Sequence, residues 1–198
     1  MCYHDHKMEN KMLETPLISK AKLWAQTHHA DHTYGNESFF DGHLEKVAQK
    51  VAQYNPDDEH LIAAAYLHDI VEDTDITLET VREEFGFEVA NIVGLCTDPK
   101  DPTLNRREKK ELLYAKFAAF DGDADKKGAA IVKSADRIVN HSKSSGSINV
   151  PKMSMYLKEF PDFMATFGPS LLEAGWRLGW DELLAQYVRL NKLVDAYR

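Results

Sequence analysis

The chain has 198 residues, enough for one domain with a sizeable core, and a composition of 43% hydrophobic and 28% charged residues with 10 Gly and 7 Pro excludes a disordered, collagenous or low-complexity protein. A net charge of −8, from 24 Lys plus Arg against 32 Asp plus Glu, argues against broad electrostatic docking on nucleic acid or an anionic membrane. An anionic ligand must therefore be met by a local basic cluster. Cys2 and Cys96 sit in no paired-thiol or metal spacing, and no window approaches the run of about 18 apolar residues that a spanning helix needs. The stretch Met1 to Met12 lacks the apolar core of a signal peptide and carries Cys2 where myristoylation needs glycine, so a reducing cytoplasm is the expected setting.

Nearly every segment has helical periodicity and none shows a convincing run of alternating β-branched residues, which predicts an all-α fold. A first helix is expected over Leu17 to Asp31, followed by a polar loop, His32 to Asp41, with Asp41 as the N-cap of a helix carrying His43, Leu44, Val47 and Val51. The most apolar helix follows, Asp57 to Val71, hydrophobic nearly all round and so expected at the centre. Thr77 is placed to cap Leu78 to Glu84, Gly86 to end it, and Glu88 to Leu95 to form another short helix. Pro99 and Pro102 break the chain before a charged helix, Asn105 to Phe120, and an apolar-faced one, Gly128 to Ser142. Ser142 to Ser147 reads as a loop, Pro151 to Phe160 as a helix stopped by Pro161, and Asp181 to Tyr197 as the last amphipathic helix.

The unusual feature is His68-Asp69-Ile70-Val71-Glu72-Asp73-Thr74 at the end of the apolar helix. Residues i and i+4 share a helical face, so a continuous helix would stack Glu72 beside His68 and Asp73 beside Asp69. Burying these groups without a metal or an organised hydrogen-bond network would be costly; the plain alternative is a solvated acidic helix end. Taken singly, His43 could be a surface histidine near a helix start, and Asp136 could pair with Lys133 on its own helix.

Four stretches lift these residues above the plain alternative: His43-Leu44-Glu45-Lys46-Val47-Ala48, Ile62 to Thr74, Phe85-Gly86-Phe87-Glu88-Val89-Ala90, and Val132-Lys133-Ser134-Ala135-Asp136-Arg137-Ile138-Val139-Asn140. In order and spacing they resemble the HD-domain metal-dependent phosphohydrolases, and more narrowly the hydrolase domain of the bifunctional RelA/SpoT-type alarmone enzymes and their small stand-alone relatives. The resemblance covers roughly residues 20 to 165. It implies an HD-domain helical bundle with a metal site between central helices, and a division into an N-terminal extension (1–16), the phosphohydrolase domain (17–165) and a C-terminal helical extension packed on it (166–198). It also makes His43, His68, Asp69 and Asp136 the metal ligands. Two imidazoles and two carboxylates suit Mn²⁺, the family expectation, with Fe²⁺, Co²⁺ or Zn²⁺ as further candidates. Glu72 and Asp73 would then position or deprotonate a water and return a proton to the leaving oxygen.

The implied substrate is a small-molecule nucleotide, with the 3′-pyrophosphate of guanosine 3′,5′-bis(diphosphate) as the leading target. The alternatives are another nucleotide, such as a nucleoside monophosphate or phosphorylated dinucleotide, or a catalytically silent nucleotide or metal sensor. Asn140 matches the family residue that helps hold substrate, and Tyr156 sits where related hydrolases have an aromatic near the nucleoside. The best basic cluster is Asn105 to Lys110, in which Arg106 and Lys109 share a face, while Lys133 and Arg137 lie close to Asp136. Alarmone hydrolases usually carry an Arg-Lys pair in the loop before the first metal histidine; here that loop, His29 to Gly42, lacks it, leaving Tyr34 or Phe40 to stack on a base. Thr166 to Arg198 contains no motif and reads as packing or dimer contacts, leaving a homo-oligomer open.

Overall fold

Helix-forming periodicity dominates the chain, and the structure, a computed structural model, is correspondingly almost wholly helical over the residues it describes, 15–197. Cys2, His4, His6 and all but the last two residues of the expected N-terminal extension lie outside them. The helices are α1 (Pro16–His28), α2 (Glu45–Tyr54), α3 (Glu59–Leu67), α4 (Ile70–Asp73), α5 (Leu78–Cys96), α6 (Arg106–Ala119), α7 (Asp123–Gly146), α8 (Val150–Glu173) and α9 (Arg177–Tyr197).

The all-round apolar character of α3 is explained by its place at the centre: Leu61 to Leu67 are all buried, packed among α1, α2 and α5. Each fully buried Leu or Ile contributes about 1.5–3 kcal/mol relative to exposure. Helix α7 is the second pillar, packing on α2, α5, α8 and α9, and one hydrophobic cluster runs from Ile18 on α1 to Leu183 on α9. The two pillars bring residues 43, 68, 69 and 136 to one depth of the core, and this is what builds a site.

Local signals place most boundaries. Thr15, Asp58, Thr77 and Asn149 each accept a backbone N–H three residues on, and Asn105 and Glu108 form a reciprocal capping box at the start of α6. Gly86 interrupts α5 with φ +86° and ψ 174°, a backbone conformation that only glycine adopts without strain.

Several expectations change. Within the polar loop a minimal antiparallel hairpin forms, Thr33–Tyr34 (β1) with Glu37–Ser38 (β2), turned by Gly35 at φ +72°; two-residue strands are too short to show alternation in sequence. Asp41 is not the N-cap: the chain enters α2 through a wide π-helical turn, Phe40–Leu44, and Ser38 caps it, accepting Asp41 N–H at 3.0 Å while its hydroxyl donates to the Asp41 carboxylate at 2.6 Å. Phe40 is buried and stacked on Tyr66, so it belongs to the core. Helix α7 begins at Asp123 and runs through the expected loop to Gly146. Helix α8 passes through both Pro161 and Pro169, whose rings lie on the solvent side while Phe160, Phe163, Phe167 and Leu171 hold the opposite face in the core. Losing a backbone hydrogen bond at a water-exposed turn costs little against that burial. The same helix crosses residues 165–166 without a break, and α9 packs on α7 and α8.

Candidate metal centre

The apolar helix does not continue to residue 71. It ends at Leu67, Asp69 adopts φ −101° and ψ −4°, and a single turn, α4, restarts at Ile70. The break turns His68 and Asp69 toward His43, in the π-helical turn before α2, and Asp136, on α7.

His43 Nε2 lies 3.3 Å from His68 Nε2, 3.3 Å from Asp69 Oδ2 and 3.3 Å from Asp136 Oδ1. His68 Nε2 lies 3.1 Å from Asp69 Oδ2 and 4.0 Å from Asp136 Oδ1. The separations among His43, His68 and Asp69 are those of donor atoms sharing one cation at about 2.1 Å, and Asp136 adjoins this trio through the two histidines. The ring orientation supports the same reading: His68 Nδ1 donates to the Ala65 carbonyl at 2.8 Å, so Nε2 is the nitrogen that faces the cluster and can take a cation in place of its proton. His43 and His68 are 3% and 0% exposed, and His43 Nδ1 is a buried nitrogen with no hydrogen-bond partner. The donors fit a divalent cation of the Mn²⁺, Fe²⁺, Co²⁺ or Zn²⁺ kind; with no thiolate in the set, nothing selects zinc.

The charged groups of the cluster support one another. Burial opposes the imidazolium of His68, yet Asp69 and Asp136 beside it hold its pKa up to about 9. Burial likewise opposes ionisation of Asp69, and His68 and His43 overcome it to keep its carboxyl well below the usual range; Asp136 is lowered by Lys133 and the same two histidines.

Around this centre is a second layer. Asn140, one turn after Asp136, donates from Nδ2 to Asp136 Oδ1 and accepts the Tyr34 hydroxyl at 2.6 Å on its own Oδ1. Tyr34 thus reaches the centre through hydrogen bonding, and its ring also tilts against His43 at 5.0 Å. Lys133 Nζ stands 3.5 Å from Asp136 Oδ2, buried, and the surrounding carboxylates keep it protonated despite that burial.

The centre opens into a cavity of about 200 Å³ lined by Asp69, Glu72, Asp98, Asp136 and Asn140 on the acidic and amide side, and by Arg106, Lys110, Lys133, Arg137 and Lys152 on the basic side, with Met155 and Tyr156 beside them. Glu72 is fixed there by the Asp98 backbone N–H, which donates to its Oε2 at 3.1 Å; burial, then Asp69, raises its pKa. Asp73 does not join it. Consecutive helical residues diverge by about 100°, and Asp73 lines a neighbouring cavity with His28, His32, Thr74, Asp75 and Ile76, its pKa pushed up to about 6 by burial, Asp69 and Glu72.

Of the expected basic residues, Arg106, Lys133 and Arg137 line the cavity, as does Tyr156. Lys109 does not, because the face of α6 that meets the cavity is the i, i+4 row of Arg106 and Lys110; Lys110 is ion-paired to Asp98 at 2.5 Å. Lys152, Asp98 and Glu159 complete the surroundings and stand in no sequence pattern that singles them out. Of the histidines near the end of α1, His29 is buried and hydrogen-bonded to the Ala25 carbonyl at 3.0 Å, with its ring stacked on Phe39. His141 is fully buried beside Tyr156, its pKa lowered to about 3 by burial and then by Arg137. A second cavity of about 490 Å³ adjoins the first through Asn140 and Lys152 and is walled by Tyr34, Asn36, Lys143, Ser144 and Asn149 among others.

Comparison with known proteins agrees with this architecture. The HD domain family model matches residues 21–122, just over half of the chain. A probable guanosine-3′,5′-bis(diphosphate) 3′-pyrophosphohydrolase of Synechocystis sp. is 30% identical over 186 residues, 92% of this chain and 23% of the relative. The guanosine-3′,5′-bis(diphosphate) 3′-pyrophosphohydrolase MESH1 of Danio rerio is 39% identical over 83 residues, 42% of each chain. The chain spans less than half the length of these curated relatives in the matched regions. A solved structure of a metazoan ortholog of SpoT, described as hydrolysing ppGpp and playing a role in starvation responses, superposes with a TM-score of 0.55 over 94% of this chain and 96% of the other, at 20% identity, which shows a shared fold. With its two histidines and two aspartates gathered between the central helices, and the family model spanning His43, His68 and Asp69 over just over half of the chain, the chain belongs to the HD domain family.

Proposed function

We propose that the protein is a metal-dependent phosphohydrolase that removes the 3′-pyrophosphate from guanosine 3′,5′-bis(diphosphate), with Mn²⁺ as the resident ion. The observation that carries the reading is the cavity in which Asp69 and Asp136 of the donor cluster, the fixed carboxylate Glu72 and five cationic side chains meet. Bound by His43, His68, Asp69 and Asp136, a divalent cation polarises a phosphoryl oxygen and acidifies water.

The chain's own residues do the rest. Glu72, held on Oε2 by the Asp98 N–H and raised in pKa by burial, accepts a proton from the attacking water and passes it toward the leaving oxygen. Asp73 lines the neighbouring cavity and stands outside this proton transfer, its own carboxyl raised to about 6 by burial, Asp69 and Glu72. Lys133, Lys110, Arg106, Arg137 and Lys152 neutralise the phosphates, which is how a protein of net charge −8 admits a polyanion. The adjoining cavity has the size and polarity for a nucleoside, with Tyr34 presenting a ring and Asn36, Ser144 and Asn149 presenting hydrogen-bonding groups. Among the described residues no helix is long and apolar enough to cross a membrane, and Cys96 is a buried free thiol, in keeping with a reducing cytoplasm.

Product release by the purified protein with Mn²⁺ tests the reading, using a panel of the alarmone, nucleoside mono- to triphosphates and phosphorylated dinucleotides. Pyrophosphate from the alarmone is the expected result. Turnover confined to another nucleotide would transfer the substrate assignment to it, and silence across the panel would favour a sensor.

A further inference from the structure

Two arginines share one carboxylate at the wall between two cavities. Arg106 donates from Nε and Nη2 to Glu159 Oε1 and Oε2 at 2.6 and 3.1 Å, and Arg137 donates from Nη1 to Oε2 at 3.1 Å. Arg106 lines both the cavity beside the metal centre and a groove of about 1140 Å³ between α6 and α8; Arg137 lines only the former and Glu159 only the latter. Glu159 therefore reaches the guanidiniums from the groove side. Arg137 cannot follow it outward, being 6% exposed with its guanidinium 4.6 Å from the Phe163 ring and 5.2 Å from that of Tyr156.

The charge count at this wall is uneven. Lys133 and Lys110 each have a carboxylate of their own, Asp136 and Asp98. Arg106 and Arg137 have one between them, and Lys152 on the same wall has no carboxylate partner among the described residues. A guanidinium fork accepts a carboxylate and a phosphate in the same bidentate way, but a phosphate has more charge and a third oxygen, so it can satisfy two forks better than a carboxylate can.

We propose that Arg106 and Arg137 form a seat for a phosphate group and that Glu159 is its internal competitor, filling the seat when it is empty and displaced into the groove when a phosphate takes the same donors. The groove has room for that movement, and Lys158 on its wall offers a new partner. This rests on the reading of the cavity as a phosphate site; the role of Glu159 is additional to it.

Titration calorimetry of the full chain, as purified, with inorganic pyrophosphate tests the seat without any turnover. Glu159→Gln should bind pyrophosphate about three- to tenfold more tightly than wild type. Glu111→Gln, which removes the same charge from the exposed Arg107 pair on the groove, should change binding less than twofold. Weaker or unchanged binding by Glu159→Gln would overturn the proposal, as would equal tightening by Glu111→Gln, which would reduce the effect to overall charge. Should Glu159→Gln fail to fold, Glu159→Asp keeps the charge but is one methylene too short to hold both arginines. Tighter binding by it supports the seat, and unchanged or weaker binding contradicts it. If instead wild type binds pyrophosphate as described but hydrolyses nothing in the nucleotide panel, the seat stands and the proposed reaction fails.

Discussion

The metal cluster and the phosphate wall are built in opposite ways although they face the same cavity. The cluster uses short side chains held by the core, with His43 and His68 almost fully buried and His68 locked by Ala65. The wall uses long side chains from α6, α7 and α8, ranging from the buried Lys133 and Arg137 to the exposed Arg106, with Asp136, Asp98 and Glu159 as their carboxylate partners. Chemistry demands donor atoms placed to a fraction of an ångström, which packing supplies; recognition of a mobile polyanion tolerates, and uses, exchangeable ion pairs.

The strongest way to break this contrast is to remove a ligand. Asp69→Ala should lose Mn²⁺ and abolish hydrolysis while the helical far-ultraviolet spectrum persists; retention of stoichiometric metal by elemental analysis would refute the ligand assignment. Next in size, Glu72→Gln should keep the metal and lower kcat about 10²- to 10⁴-fold, measured at saturating substrate. An undiminished kcat would remove the carboxylate from the proton transfer.

The cluster should also be sensitive to pH where the wall is not. The folded pKa of His68, about 9, lies above the ordinary 6.5, so its proton stabilises the metal-free protein fully below pH about 6.5, and that contribution is lost as pH rises toward 9. A cation must displace the same proton, so Mn²⁺ affinity should rise by about tenfold per pH unit from 6.5 to 8.5. A flat profile in a competition titration would show that no such proton is held. On the wall, Lys110→Met should raise KM for the alarmone about tenfold with kcat little changed, because binding rather than chemistry is lost. Lys109→Met, one position off the cavity row, should leave KM as it is.

The sequence reveals the two regions unequally for the same physical reason. His43, His68, Asp69 and Asp136 are legible because buried ionisable residues in an apolar helix demand an explanation, and because their order resembles a known family; the structure brings all four within 4.0 Å of a histidine nitrogen. The α6 residues of the wall are lysines and arginines in a helix full of them, and only the angular register of α6 separates Lys110 from Lys109. Asp98 and Glu159 act through backbone and partner geometry that no local spacing encodes. The break after Leu67 is equally hidden, since the apolar pattern runs through it unchanged. Gly86 is the reverse case, a backbone device visible as a single letter. At φ +86°, Gly86→Ala should cost about 1–3 kcal/mol and lower Tm by several degrees without touching KM or metal content.

The most direct test of the central claim is pyrophosphate release from guanosine 3′,5′-bis(diphosphate) by the purified, Mn²⁺-loaded chain, run beside Asp69→Ala. Stoichiometric pyrophosphate from the wild type and none from the variant is the predicted result. Equal release by both, or none by a wild type that demonstrably holds Mn²⁺, would contradict the assignment of this centre to that reaction.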